Sequence, residues 1–150
     1  MGLDQNAYVI TGRRVKDEWS GDEIDEHEQL ATWRKHPNLH GFMEQLWIEK
    51  GTPGLDPKDA GSMFGSDFNC IELVLTVEDI DRLEQNILAG GLPATEGFFF
   101  GDDSDEYYRE TDLEFCQNAR KALADGQKVA YNSWWVVACL MLLPVFTLGV

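Results

Sequence analysis

The division of charge along the chain constrains its fold more than any motif does. Residues 134–150 contain fourteen apolar side chains in seventeen and no charged one, while all 39 charged residues lie before them. A charge-free run of that length is expected to associate with a membrane, to pack against the body or a partner, or to be a poorly structured extension. As a helix it would rise about 25 Å, at the lower edge of a bilayer span. Pro144 falls within it, and no Lys or Arg follows it. The expected organisation is therefore an acidic folded domain over residues 1–135 and an apolar extension over 136–150.

The domain carries 27 Asp and Glu against 12 Lys and Arg, a formal net charge of -15. Non-specific nucleic-acid binding depends on basic side chains that displace counterions from phosphates, so this composition argues against it. The total of 150 residues suits one domain with a real core. Cys70, Cys116 and Cys139 show no CxxC spacing, which predicts reduced, mostly buried thiols. The N-terminus lacks the basic and apolar regions of a secretory signal, and none is expected.

Residues 7–11 predict a short first strand and residues 30–33 a short second one. Between them, residues 17–28 hold seven carboxylates and no Lys or Arg, which predicts a solvated loop with at most a helical turn. After Pro37, the spacing of Leu39, Phe42, Met43, Leu46 and Trp47 predicts a helix to about Lys50. The glycine-rich residues 51–69 read as a long loop. Residues 70–75 read as the clearest strand. Thr76 and Asp79 then form a capping box for a helix that buries Ile80, Leu83, Ile87 and Leu88. Phe98, Phe99 and Phe100 suggest a further extended segment. Thr111 and Glu114 suggest a second capping box, opening a helix that Gly126 closes, and residues 128–134 a last strand. The sum is an α+β fold, a small and mainly antiparallel sheet with about three helices packed on one face.

Chemistry-bearing residues are scattered. Residues 96–114 hold eight carboxylates, with Asp102, Asp103, Asp105 and Glu106 nearly contiguous. Such oxygens suit hard divalent cations, but a solvated acidic face is the simpler expectation, with a recognition surface as a further alternative. The spacing of a calcium loop is absent. His36 and His40 are four apart, yet Pro37 intervenes and no HExxH motif is formed. Trp33, Arg34 and Lys35 make a basic-aromatic island, with His40 beside it, that could face a small anion. Neither GxGxxG nor GxxxxGK[ST] occurs, so no nucleotide loop is expected and the cofactor stays undetermined.

Several stretches together resemble a family of small proteins of tailed bacteriophages: MGLD at 1–4, WRKHPNLH at 33–40, LPATEGFFFG at 92–101, DEYYRETD at 105–112 and YNSWW at 131–135. The family pattern opens MGLDMYL and continues with a YWRKANxIHxW-like block. A central Cys-Glu-Tyr, LLPTxxGFFFG, YDExYxxD and a Trp-ended strand follow. This chain departs from it at Gln5-Asn6-Ala7, at Thr32 and at Leu73, and the resemblance stops near Trp135. Some members carry a phosphoglycerate kinase label, which implies a larger two-domain enzyme with a phosphate loop and is not carried over. The resemblance implies a ligand or partner pocket drawn from Asp4, Trp33, Arg34, Lys35, Asn38, His40, Glu72, Asp105, Glu106 and Tyr107, with Cys70 and Asp112 also matched.

Three functions follow as expectations. The first is a phage accessory protein that binds and modulates a host protein in the infected host cytoplasm, its acidity imitating nucleic acid. The second is a small metal- or nucleotide-dependent enzyme, with the carboxylates facing Arg34, Lys35 and His40. The third is a membrane-associated or virion structural protein using residues 134–150.

Overall fold

The computed structural model describes residues 3–55, 68, 70–93 and 104–135. Expectations for Phe98 to Phe100, Asp102, Asp103 and the extension 136–150 lie outside these residues, as does most of the loop 56–69. Four strands, β1 (Leu3–Lys16), β2 (Glu23–Arg34), β3 (Leu73–Leu75) and β4 (Lys128–Trp135), form one antiparallel sheet in the order β2-β1-β4-β3. Helices α1 (Pro37–Glu49), α2 (Val77–Leu88) and α3 (Ser104–Ala124) cover one face. The expected α+β architecture is what the chain forms.

Strand alternation sorts the sheet. Ala7, Val9, Ala31, Trp33, Leu73, Leu75, Val129 and Tyr131 point into the core, while Thr32, Val74 and Trp134 are exposed on the other side. Against this face α1 buries Leu39, Phe42, Met43, Leu46 and Trp47, the five positions its periodicity predicts. Pro37 opens α1, where a missing N–H costs nothing. The Thr76–Asp79 capping box forms with both reciprocal bonds, 3.2 and 2.8 Å, and α2 buries Ile80, Leu83 and Ile87. Leu88 is instead 56% exposed, because it ends the helix one position past Ile87, to the side of the face that Ile80, Leu83 and Ile87 bury.

Three expectations are corrected. Helix α3 begins at Ser104, so Thr111 and Glu114 lie inside it and form no cap. Asp105 and Glu106 in its first turn favour that earlier start through the helix dipole. Strand β3 is only Leu73–Leu75, since the backbone turns at Cys70 with φ 60°. Cys70 is also disulfide-bonded, against the expectation of reduced thiols. Cys116 is free, and burial first of all pushes its pKa up to about 12, leaving an inert thiol.

The largest correction concerns residues 17–28, expected as a solvated loop. Only 17–22 form a mostly exposed turn, while 23–28 belong to β2 and pair with the outer half of β1 as a hairpin. Charges that each look like solvent-facing residues meet across the strands. Arg13 forms two 3.0 Å bonds to Glu26, and Arg14 reaches Asp25 at 3.1 Å, with Val15 opposite Ile24 between charged pairs. At the turn, the Asp17 carboxylate accepts from Ser20 Oγ at 2.8 Å and from the amides of Trp19 and Ser20. Those bonds, the Ser20 hydroxyl foremost, lower the Asp17 pKa. Gly12 (φ +85°) takes up an irregularity between Ile10 and Arg14.

If cross-strand charge holds this hairpin, Arg13→Glu should speed amide hydrogen exchange over residues 13–26 and leave α2 and α3 unaffected. Exchanging the pair, Arg13→Glu with Glu26→Arg, should restore protection. Equal exchange in all three proteins would mean that the pairing contributes nothing to the arm.

Candidate functional site

Beneath the sheet lies a chain of polar side chains that the apolar pattern does not announce. Gln5 is an inward position of β1 and fully buried. Its amide nitrogen donates to the His36 carbonyl at 3.1 Å and to the Tyr131 hydroxyl at 2.9 Å, and its oxygen accepts from the His36 amide at 2.9 Å. Gln5 therefore closes the gap where β2 gives way to α1. The His36 ring stacks on Tyr108 with centroids 5.0 Å apart and meets Asp112 through Nε2 at 2.8 Å. Trp33 Nε1 donates to the other Asp112 oxygen, also at 2.8 Å. Asp112 is 1% exposed and His36 wholly buried. Two charge-assisted bonds to one carboxylate are what make such burial tolerable.

His40 sits one turn further along α1. Its Nδ1 lies 3.2 Å from the Tyr131 hydroxyl, and its ring stacks against Phe68. Desolvation lowers its pKa to about 4, so the ring is neutral at pH 7. Burial also raises the Tyr131 pKa, keeping that hydroxyl protonated. Gln5, His36, Asp112 and Tyr131 make a satisfied network and not an open reaction centre.

The residues expected to share a pocket fall into separate groups. Asp4 accepts from Trp134 Nε1 at 2.8 Å and lies 3.8 Å from Arg34 Nε at the sheet margin. Arg34 is held through its backbone, because the Tyr108 hydroxyl donates to its carbonyl at 2.6 Å and accepts from its amide at 3.0 Å. Lys35 is exposed at φ 60° and donates its amide to the Leu3 carbonyl. Asn38 bonds both Asp105 oxygens at 3.1 Å where α1 meets α3. Glu72 accepts from Tyr8 at 2.5 Å, and burial first of all, then this contact, raises the Tyr8 pKa. Tyr107 is 79% exposed and stands edge-on to Tyr108. Trp33 and His40 belong to the buried network.

A cleft of about 200 Å³ opens between the end of α2 and the start of α3. Ile87 and Leu92 are part of its lining, with Asp105, Glu106, Arg109 and Asp112. Arg109 is turned to the Ile87 carbonyl at 2.9 Å. Among the described residues, no group of three or more His, Cys, Asp or Glu is placed to hold a metal ion. No helix among them is long and apolar enough to cross a membrane. Comparison with family models, curated proteins and solved structures found no match.

Among the described residues, the most exposed large hydrophobic side chain is Trp19, at 81%, on the turn of the β1–β2 hairpin. Around it lie Asp17, Glu18, Asp22 and Glu23. Composition marks the acidity of this segment, but only strand pairing turns it into an arm with a tryptophan at its tip. Gln5 was equally hidden, because a strand read as starting at Ala7 omits the inward position two residues earlier.

Two outcomes test the buried network. Asp112→Ala should destabilise the protein by about 3–5 kcal/mol in urea unfolding, because it strands His36 and the Trp33 N–H. His40 gives a pH signature. Its folded pKa is about 4, and an unfolded imidazole titrates near 6.5. Between these values the unfolded chain binds the extra proton, so this stability is complete above about pH 6.5 and is lost as pH falls toward 4. The contribution lost between pH 7 and pH 5 should be about 2 kcal/mol, and His40→Gln should flatten that slope.

Proposed function

We propose that this chain is a phage-encoded binding protein that docks on a host protein whose own ligand is nucleic acid. The observation that carries the reading is Trp19, 81% exposed at the end of an acidic hairpin. A tryptophan left in water forgoes its burial, and such side chains are the usual anchors of protein interfaces. The turn that carries it and the strand that leaves it hold seven carboxylates over residues 17–28. They would steer the arm toward a basic surface of the kind that receives phosphates. Arg13 and Arg14 are engaged across the hairpin with Glu26 and Asp25, which leaves Glu18, Asp22, Glu23 and Glu28 to set the field beyond it.

The net charge of -15 supports the same reading. The phage setting rests on the resemblance of the WRKHPNLH and DEYYRETD stretches to small proteins of tailed bacteriophages. An enzymatic reading has less support, since Asp4, Glu72 and Asp105 each contact different partners and His40 is buried behind Tyr131.

The immobilised protein should retain host proteins that free double-stranded DNA displaces, and retention should weaken as salt rises. Trp19→Ala should reduce affinity by about 10–100-fold, the loss of one anchor side chain, without lowering thermal stability. Retention that ignores salt and DNA, or that survives Trp19→Ala unchanged, would refute the reading.

A further inference from the structure

Strand β2 ends the sheet, so one edge of its backbone faces away from β1. At the inner end of that edge, Tyr108 covers Arg34 by bonding both its amide and its carbonyl. The outer half is different. From Glu23 to Gln29 every side chain is exposed except the half-buried Glu26, and among the described residues no strand pairs on that side. Proteins guard long edges of this kind with Lys, Pro or a covering element. These seven residues hold neither Lys nor Pro, but Glu23, Asp25, Glu26 and Glu28.

An edge of one sign discriminates between occupants. A second copy of this chain would set carboxylates beside carboxylates, which is destabilising, and two bodies of charge -15 would repel before contact. A strand bearing Lys or Arg meets the opposite situation. Glu26 and Asp25 are already paired with Arg13 and Arg14, so Glu23 and Glu28 are the carboxylates best placed to meet new cations. Between Glu23 and Asp25, on the other face, Ile24 is 44% exposed beside Val15, at 37%. An incoming apolar side chain could pack there.

We propose that the outer half of β2 is a strand-addition site for an extended basic segment of a partner protein, which joins the sheet as a fifth strand. The ladder supplies affinity through backbone bonds, and Glu23 on one face of β2 and Glu28 on the other each select Lys or Arg on their own face of the incoming strand. Seven residues at about 3.3 Å each define a footprint of about 23 Å. This rests on the reading of the chain as a partner-binding protein and specifies how the partner is gripped, with Trp19 at one end of the footprint.

The test uses the full chain and a capped octapeptide of alternating Lys and Val. The peptide should slow amide exchange within residues 23–29 at least tenfold, and the effect should fade as salt rises. The same peptide N-methylated at every residue keeps its charge but loses the ladder donors of both edges, and it should give no protection. The double variant Glu23→Lys, Glu28→Lys leaves the Arg13 and Arg14 pairs in place and should weaken peptide binding at least tenfold. Equal protection by the methylated peptide, protection confined to other segments, or β2 protection arising from self-association in sedimentation would each overturn the proposal. Trp19→Ala separates the two readings. Host capture that depends on Trp19 while the peptide leaves β2 unprotected removes strand addition and keeps the binding function. Peptide protection with no Trp19-dependent host capture removes the function as proposed and leaves the edge chemistry standing.

Discussion

The buried carboxylate of Asp112 is the constraint around which the body is arranged. It accepts from Trp33 on β2 and is bonded to His36 at the entrance of α1, and it comes from the middle of α3. Gln5 on β1 extends the chain to Tyr131 on β4. Three strands and two helices thus share one hydrogen-bonded line through an otherwise apolar interior. Apolar packing alone tolerates sliding of a helix over a sheet, whereas a buried charge with two fixed partners does not. This line fixes how α3 crosses the end of β2.

That anchoring divides the hairpin into two parts. Its inner half is sheet proper, with Ala7, Val9, Ala31 and Trp33 in the core. Its outer half, beyond the irregularity at Gly12, is held by the charge pairs of Arg13 and Arg14 and by the Asp17 turn. Exposed ion pairs contribute little individually, so the arm is the part of the sheet least tied to the core. The acidity, the exposed tryptophan and the open edge all fall on this same element.

Elements whose reasons are local were legible in the sequence. The α1 face was visible in five apolar residues at helical spacing, the α2 start in its capping box, and the end of α3 in Gly126, which adopts φ +83°. The arm was not legible, because Arg13 and Glu26 are thirteen residues apart and each taken alone is a solvated charge. The start of α3 was missed for a related reason. Thr111 and Glu114 imitate a cap that the preceding turns make unnecessary. Of the candidate site, Trp33, Asn38, His40 and Asp105 do lie along the α1–α3 crossing, yet the residues that join them, Gln5, His36 and Asp112, became visible as a network only in three dimensions.

By itself the sequence determined the class of fold and the acidity of the chain. Those properties follow from composition and from periodicities of a few residues. Tertiary structure decided where the charges stand. It withdrew Asp112 into the interior, where His36 and Trp33 satisfy it, and it set Glu23 and Glu28 along an exposed strand edge. A carboxylate is tolerated in the core only where donors from distant segments converge on it, and that convergence is a property of the folded chain.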